Sequence, residues 1–203
     1  MPIVRAGLRS ILRNRLAPAL GLSLLAGLSA GPVTGDDRAV LTALYQATGG
    51  EQWIDAQGWL EADNSLCDWH GITCSSSEQG EELVTSIELA FNGLSGELPD
   101  LFDQFELLSR VDLSGNALTG PVPSSLINSL PVYNLSARAA RLVDLSDNRL
   151  NRLPEFTRAD GPGSGVRLDL SGNRLTAPLP DSWTDLQLRE LNLARNPLGG
   201  EFP

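Results

Sequence analysis

The chain has no lysine, one histidine, one methionine and two cysteines among its 203 residues. Each shortage removes a class of chemistry. A single histidine, His70, and two thiols cannot complete the nitrogen and sulfur ligand set of a structural zinc site, so no metal is expected. No glycine-rich phosphate loop follows a predicted strand, and no lysine stands ready to reach a phosphate or form a Schiff base. After the first 35 residues no run is apolar enough to span a membrane. The basic side chains are all arginine, 15 against 25 acids, for a net charge of -10.

Residues 1–35 carry Arg5, Arg9, Arg13 and Arg15 ahead of an apolar stretch from Leu16 to Leu28. Small residues follow at Val33-Thr34-Gly35, with Ser29-Ala30-Gly31 as a second cleavage point. This layout predicts a signal peptide, the alternative being an uncleaved membrane anchor. Removing it leaves 11 arginines against 25 acids, a net of -14, which disfavours nucleic acid as a partner because little would neutralise phosphates. A secreted, periplasmic or cell-surface location is expected. In such an oxidising compartment the closely spaced Cys67 and Cys74 read as a disulfide.

A phrase recurs five times. It runs Val84-x-x-Ile87-x-Leu89-x-x-Asn92-x-Leu94, then Leu108-x-x-Val111-x-Leu113-x-x-Asn116-x-Leu118, then Ala140-x-x-Val143-x-Leu145-x-x-Asn148-x-Leu150. The fourth copy is Gly165-x-x-Leu168-x-Leu170-x-x-Asn173-x-Leu175, the fifth Leu188-x-x-Leu191-x-Leu193-x-x-Asn196-x-Leu198. The asparagines lie 24, 32, 25 and 23 residues apart. The phrase and period are those of a leucine-rich repeat solenoid, an α/β arc with a parallel concave sheet. In the L-x-L core the aliphatics point inward and the residue between them outward. Each Asn is expected to satisfy buried backbone groups and to stack with the Asn of the next repeat. Four copies add a second phrase, as in Leu94-x-Gly96-x-Leu98-Pro99 and Leu175-x-Ala177-x-Leu179-Pro180, which resembles the plant-type repeat subclass with its second short strand. The third copy, Leu150 to Pro154, is one residue shorter.

The expected domains are the signal at 1–35, a non-repeating cap at 36–82 and five repeats at 83–203. In the cap, Asp36-Asp37 should start a helix that runs to about Thr48, with Val40, Leu41, Leu44 and Tyr45 on one face and Gly49-Gly50 stopping it. Trp53, Trp59 and Trp69 then cover the apolar end of the first repeat. Asp37 to Tyr45, Trp53 and Cys67-Asp-Trp69-His70-Gly71-Ile72-Thr73-Cys74 resemble the N-terminal cap of plant-type leucine-rich repeat proteins. That family includes receptor-like kinase ectodomains and polygalacturonase-inhibiting proteins, and the Trp53 phrase is similar to stand-alone repeat proteins of marine bacteria and algae. The resemblance covers residues 36 to 203 and implies protein recognition. Within it His70 is structural. The chain departs from the family in having no cysteine-bearing C-terminal cap, and it reaches Phe202-Pro203 inside repeat five, as a truncated product does.

On the concave sheet the outward column reads Glu88, Asp112, Asp144, Asp169, Asn192, and its neighbour Ser86, Arg110, Leu142, Arg167, Glu190. With strands about 4.8 Å apart, adjacent carboxylates repel by roughly 0.9 kcal/mol even in water. The candidate binding residues are therefore Glu88, Arg110, Asp112, Asp144, Arg167, Asp169, Glu190 and Asn192; the ladder could attract a basic protein or polybasic ligand, or hold a cation, with Arg110 and Arg167 offsetting part of the charge. Phe91 is the one aromatic near this face, which gives a sugar ligand little support. Repeat three holds an extra loop between Ser124 and Arg141, containing Pro131-Val132-Tyr133 and a glycosylation-type Asn134-Leu135-Ser136. Nothing assembles a catalytic constellation, so no catalytic residue and no cofactor are expected. The sequence points to a non-catalytic, exported protein-recognition module. Its alternative is a structural or adhesive cell-envelope protein, or part of a longer receptor-like surface protein.

Overall fold

The computed structural model describes residues 36–78, 80–128, 141–155, 166–183 and 188–199. The predicted export signal, the Pro131–Tyr133 stretch, Asn134, residues 161–165 and residues from 200 onward lie outside this range. Among the described residues no helix is long and apolar enough to cross a membrane.

The first element is α1 (Asp37–Ala47), and its start follows from local chemistry. Asp36 is extended and its carboxylate accepts the Ala39 N–H at 3.2 Å, satisfying one donor of the first turn. Thr48 closes the other end: its N–H and its hydroxyl both donate to the Leu44 carbonyl. Gly49 then turns left-handed at φ 70°. Val40, Leu41 and Leu44 are buried. Asp37 is buried with them, and its Oδ2 accepts the Val84 N–H at 2.7 Å, pinning the cap helix to the first repeat.

Among the described residues eight strands follow: β1 (Ile72–Ser76), β2 (Glu82–Glu88), β3 (Ser95–Glu97), β4 (Arg110–Asp112), β5 (Ala117–Thr119), β6 (Leu142–Asp144), β7 (Val166–Asp169) and β8 (Leu188–Asn192). A short helix, α2 (Ser124–Asn128), lies between β5 and β6. The main sheet has the order β1-β2-β4-β6-β7-β8. β2 to β8 pair in parallel, one strand per repeat, while β1 pairs antiparallel with β2. The edge of β2 is thus covered by a cap strand, which becomes the terminal strand of the sheet. Sequence reasoning placed Ile72 to Cys74 in the cap without recognising that strand.

Inside the arc, Ile87, Leu89, Leu94, Val111, Leu113, Leu118, Val143, Leu145, Leu150, Leu168, Leu170 and Leu175 form one continuous core with the cap. The asparagines knit successive repeats. Asn116 accepts the Asn92 and Leu94 N–H groups on Oδ1 and donates to the carbonyls of Leu89, Leu113 and Ser114. Asn148, Asn173 and Asn196 repeat this, each accepting one N–H of the preceding repeat (Leu118, Leu150 and Leu175). The partners are backbone groups of the same and the preceding turn rather than the next asparagine's amide. Asn92 has no preceding repeat and instead holds the cap, accepting the Asp55 N–H at 2.7 Å and donating to the Asp55 carbonyl at 2.8 Å.

The second strands form less often than the repeated phrase suggests. β3 and β5 pair in parallel, and a single bridge, Pro121 to Arg152, reaches the third repeat. No strand forms at Leu175 to Pro180. Pro121 and Pro178 have no N–H to donate, and the third copy is a residue short, so the ladder cannot propagate. At β3, Gly96 (φ 101°) lies so close to the Ala47 carbonyl that a Cβ would collide with it.

Cys67, in the 3-10 turn Leu66–Asp68, is bonded to Cys74 of β1 with Cα atoms 5.5 Å apart. Cys67→Ser should lower the unfolding free energy by roughly 2–3 kcal/mol, the chain-entropy value for so short a loop. Urea titration with and without reductant checks this, and equal midpoints would remove the disulfide's stabilising role.

Candidate concave-face binding site

Parallel register aligns the expected columns. Glu88 faces Asp112, then Asp144, Asp169 and Asn192; Ser86 faces Arg110, then Leu142, Arg167 and Glu190. All eight candidate residues therefore share one face. Their partners differ, and that decides which are available. Arg110 Nε lies 2.6 Å from Glu88 Oε1, and its terminal nitrogen 3.8 Å from Asp112 Oδ2. Arg167 turns away from the ladder, with Nε 3.6 Å from Glu190 Oε2. These pairs are half exposed and contribute little energy, but they fix where charge is neutralised.

Each aspartate also closes the end of its own strand. Asp112 Oδ1 accepts the Ser114 N–H (3.2 Å) and hydroxyl (2.7 Å). Asp144 Oδ1 accepts the Ser146 N–H at 2.9 Å, and Asp169 Oδ1 the Ser171 N–H at 2.8 Å. Asn192 continues the habit with the Ala194 N–H, and donates to Asp169 Oδ2 at 2.8 Å. One oxygen per aspartate is thus committed to an Asx turn. Glu88 and Asp112 are paired with arginine and Asp169 with Asn192. Asp144, at the centre of the row, has no hydrogen bond or ion pair through Oδ2 among the described residues.

Burial pushes the Asp169 carboxyl up, but the bonds from Ser171 and Asn192 and the charge of Arg195 outweigh it and leave the pKa below the ordinary value. Asp100 behaves alike: burial is outweighed by bonds from Ser125 and Ser124. Both contribute stability at pH above the ordinary carboxylate value, lost as pH falls through their lowered pKas. Asp37 has the opposite sign. Burial is the largest cause and holds its pKa above the ordinary value, against the Val84 bond. Its contribution is present at low pH and lost as pH rises through the raised pKa. Asp37→Asn keeps an acceptor for Val84 and removes the buried charge, so it should raise the melting temperature at neutral pH. The gain should close as pH is lowered to about 3, where both side chains are neutral. Melting curves across pH test this; a gain independent of pH would contradict the assignment.

Sequence reasoning missed a further column. The residue before each repeat asparagine, Phe91, Gly115, Asp147, Gly172 and Arg195, has positive φ between 53° and 67°. Large and absent side chains alternate. The Phe91 ring covers Gly115, and Asp147 and Arg195 meet at 3.1 Å across Gly172. The alternation of glycine with bulky residues at that position was the available signal. His70 is in the cap, its Nδ1 3.2 Å from Asp55 Oδ2 and its carbonyl accepting the Trp59 indole N–H. Among the described residues no three His, Cys, Asp or Glu side chains are grouped to hold a metal ion.

A parallel sheet of short strands, an asparagine ladder, a tryptophan-rich cap and an open charged face define a solenoid of the recognition-scaffold class. The family model described as Leucine Rich Repeat matches residues 107–129 and 166–186. The receptor protein kinase WSS1 of Oryza sativa subsp. japonica is 45% identical over 71 residues, 35% of this chain and 7% of that protein. The inactive receptor-like kinase BIR2 of Arabidopsis thaliana is 39% identical over 66 residues, 32% of this chain and 11% of that protein. The crystal structure of the BIR2 ectodomain superimposes with a TM-score of 0.62 at 33% identity, covering 83% of this chain and 84% of that one. The structure of the BIR3–SERK2 complex matches with a TM-score of 0.58 at 26% identity, covering 83% and 86%. The chain belongs to the plant-type leucine-rich repeat family. It spans about a tenth or less of the full-length kinases it matches, and their kinase names refer to other domains.

Proposed function

We propose that this chain is an exported, non-catalytic recognition module that binds a basic segment of a protein or peptide on its concave face. The observation that carries the reading is the register-aligned row Glu88, Asp112, Asp144, Asp169, in which Asp144 has no cation partner among the described residues. A net charge of -14 outside the export signal reinforces attraction to basic partners. The Cys67–Cys74 bond supports a site of action outside the cytoplasm. The structurally similar BIR3 of Arabidopsis thaliana has been solved in complex with SERK2, which supports a protein partner here. A second reading, a segment of a longer receptor-like surface protein, draws on the small share of each kinase that the chain matches. Genomic sequence beyond Pro203 tests it; a stop codon directly after Pro203 would count against it.

Selection of displayed linear peptides on the immobilised chain should enrich arginine- or lysine-containing sequences. Asparagine is the informative substitution in the ladder, because it keeps the oxygen that closes each Asx turn. The triple variant Asp112→Asn, Asp144→Asn, Asp169→Asn should bind an enriched peptide at least about tenfold more weakly at low salt, with the difference shrinking as salt is added. Unchanged affinity in the triple variant would rule out the ladder as the binding determinant.

A further inference from the structure

Among the described residues most large apolar side chains are buried, and the exposed exceptions are Ile54, Phe91 and Leu60, at 79%, 70% and 44%. Two of them bracket Asn92 at the junction of the cap and the first repeat. Phe91 precedes Asn92 directly, and the Ile54 N–H donates to the Asn92 carbonyl at 2.9 Å. Asn92 itself holds Asp55 with two further bonds. Both residues are therefore carried on firmly bonded backbone.

Phe91 is doubly unfavourable where it stands. Its φ of 53° is a left-handed conformation that costs a bulky L-residue energy, and two other repeats fill the same position with Gly115 and Gly172. Its ring rests on Gly115 on one side and is otherwise in solvent. Asp147 and Arg195, in the same strained position, at least pair with each other. Phe91 has no such return. A strained residue with an exposed aromatic ring on a rigid support is an outlier from which a functional role can be inferred.

The surroundings select the partner. Asp55 follows Ile54 directly and Glu51 lies three residues before it, and Glu88 ends the strand that leads to Phe91. Arg110 compensates Glu88, and His70 sits beside Asp55. The wider surface remains acidic, so a second copy of this chain, equally negative, is repelled. A segment carrying an apolar side chain next to arginine or lysine is complementary on both counts.

We propose that Phe91 and Ile54 form the apolar anchor point for such a cationic peptide segment, whose basic residues reach the acidic column beyond. This rests on the recognition reading and adds a chemical class to it: an apolar residue with neighbouring basic ones.

The test uses the whole chain and the peptides enriched by display on it, which should combine a Leu, Ile or aromatic residue with arginine or lysine. Phe91→Gly should weaken binding of such a peptide at least tenfold while leaving the melting temperature unchanged or raised, because glycine relieves the left-handed backbone. Ile54→Ser should weaken binding about fivefold with the melting temperature unchanged. A lowered melting temperature in Phe91→Gly would show that the ring is merely a cover for Gly115 and overturn the proposal. Affinity within twofold of the native chain would also overturn it. Peptides sensitive to the triple aspartate substitution but not to Phe91→Gly would remove this anchor and leave the acidic face standing. Failure to enrich any peptide would remove both.

Discussion

Replacing Asn148 by alanine should destabilise the arc by about 3–5 kcal/mol, and the loss should fall at the contact between the second and third repeats. Asn148 is buried and serves four backbone groups. Its Oδ1 accepts the Leu118 N–H, and its amide donates to the carbonyls of Leu113, Leu145 and Ser146. The four do not suffer equally. Leu113 keeps a bond from Asn116, Leu145 one from Asn173, and Ser146 one from the Gly115 N–H. Leu118 N–H is left with no acceptor. An orphaned buried donor costs about 1–3 kcal/mol and each lost bond about 1 kcal/mol. In a solenoid whose repeats contact only their neighbours, this should also broaden the urea transition as the halves uncouple. Asn148→Asp is the control. It retains the acceptor for Leu118 but sets a charge against three carbonyls, so it should be less harmful at acid pH than at neutral pH. A melting temperature within a degree of native for Asn148→Ala would refute the account.

Trp59→Ala should cost a similar 3–5 kcal/mol, the range for removing a buried large aromatic. Trp59 is the hub of the cap: its ring centroid lies 4.8 Å from Trp53, 4.9 Å from Trp69 and 5.8 Å from Tyr45. Its indole N–H donates to the His70 carbonyl at 3.0 Å. Removing it opens a cavity among three rings and frees the turn that carries His70 into β1. Trp59→Phe should recover part of the loss, since it restores ring packing without the indole bond. Chemical denaturation followed by the fluorescence of the remaining tryptophans measures both. If Trp59→Ala unfolds at the native midpoint, the cap is dispensable to the repeats.

Much of this was legible in the amino-acid order because a repeat states its own register. The Leu-x-Leu and Asn spacing predicted which residues point inward, and it aligned Glu88, Asp112, Asp144 and Asp169 before any coordinates. The cap helix was legible from Asp36, the apolar spacing of Val40, Leu41 and Leu44, and Gly49. β1 was not, because a cap strand occurs once and has no period to reveal it. The partial second sheet was obscured by a phrase whose prolines permit the conformation but withhold the donor. Arg167 could have served the ladder from its column, yet it pairs with Glu190, a choice between nearby acids that spacing does not rank.

The sequence by itself determined the class of fold, the asparagine ladder and the outward face, since period and side-chain chemistry act locally and repeat. Only the tertiary structure decided which carboxylates are paired with which cations and which aromatic is exposed. Those outcomes depend on neighbours from other turns: Arg110 leaning on Glu88, Asn192 holding Asp169, and Gly115 leaving room for the strained Phe91 ring. Stacking brings such residues together across 22 to 24 positions of chain, and their competition for partners is settled only once the turns are packed.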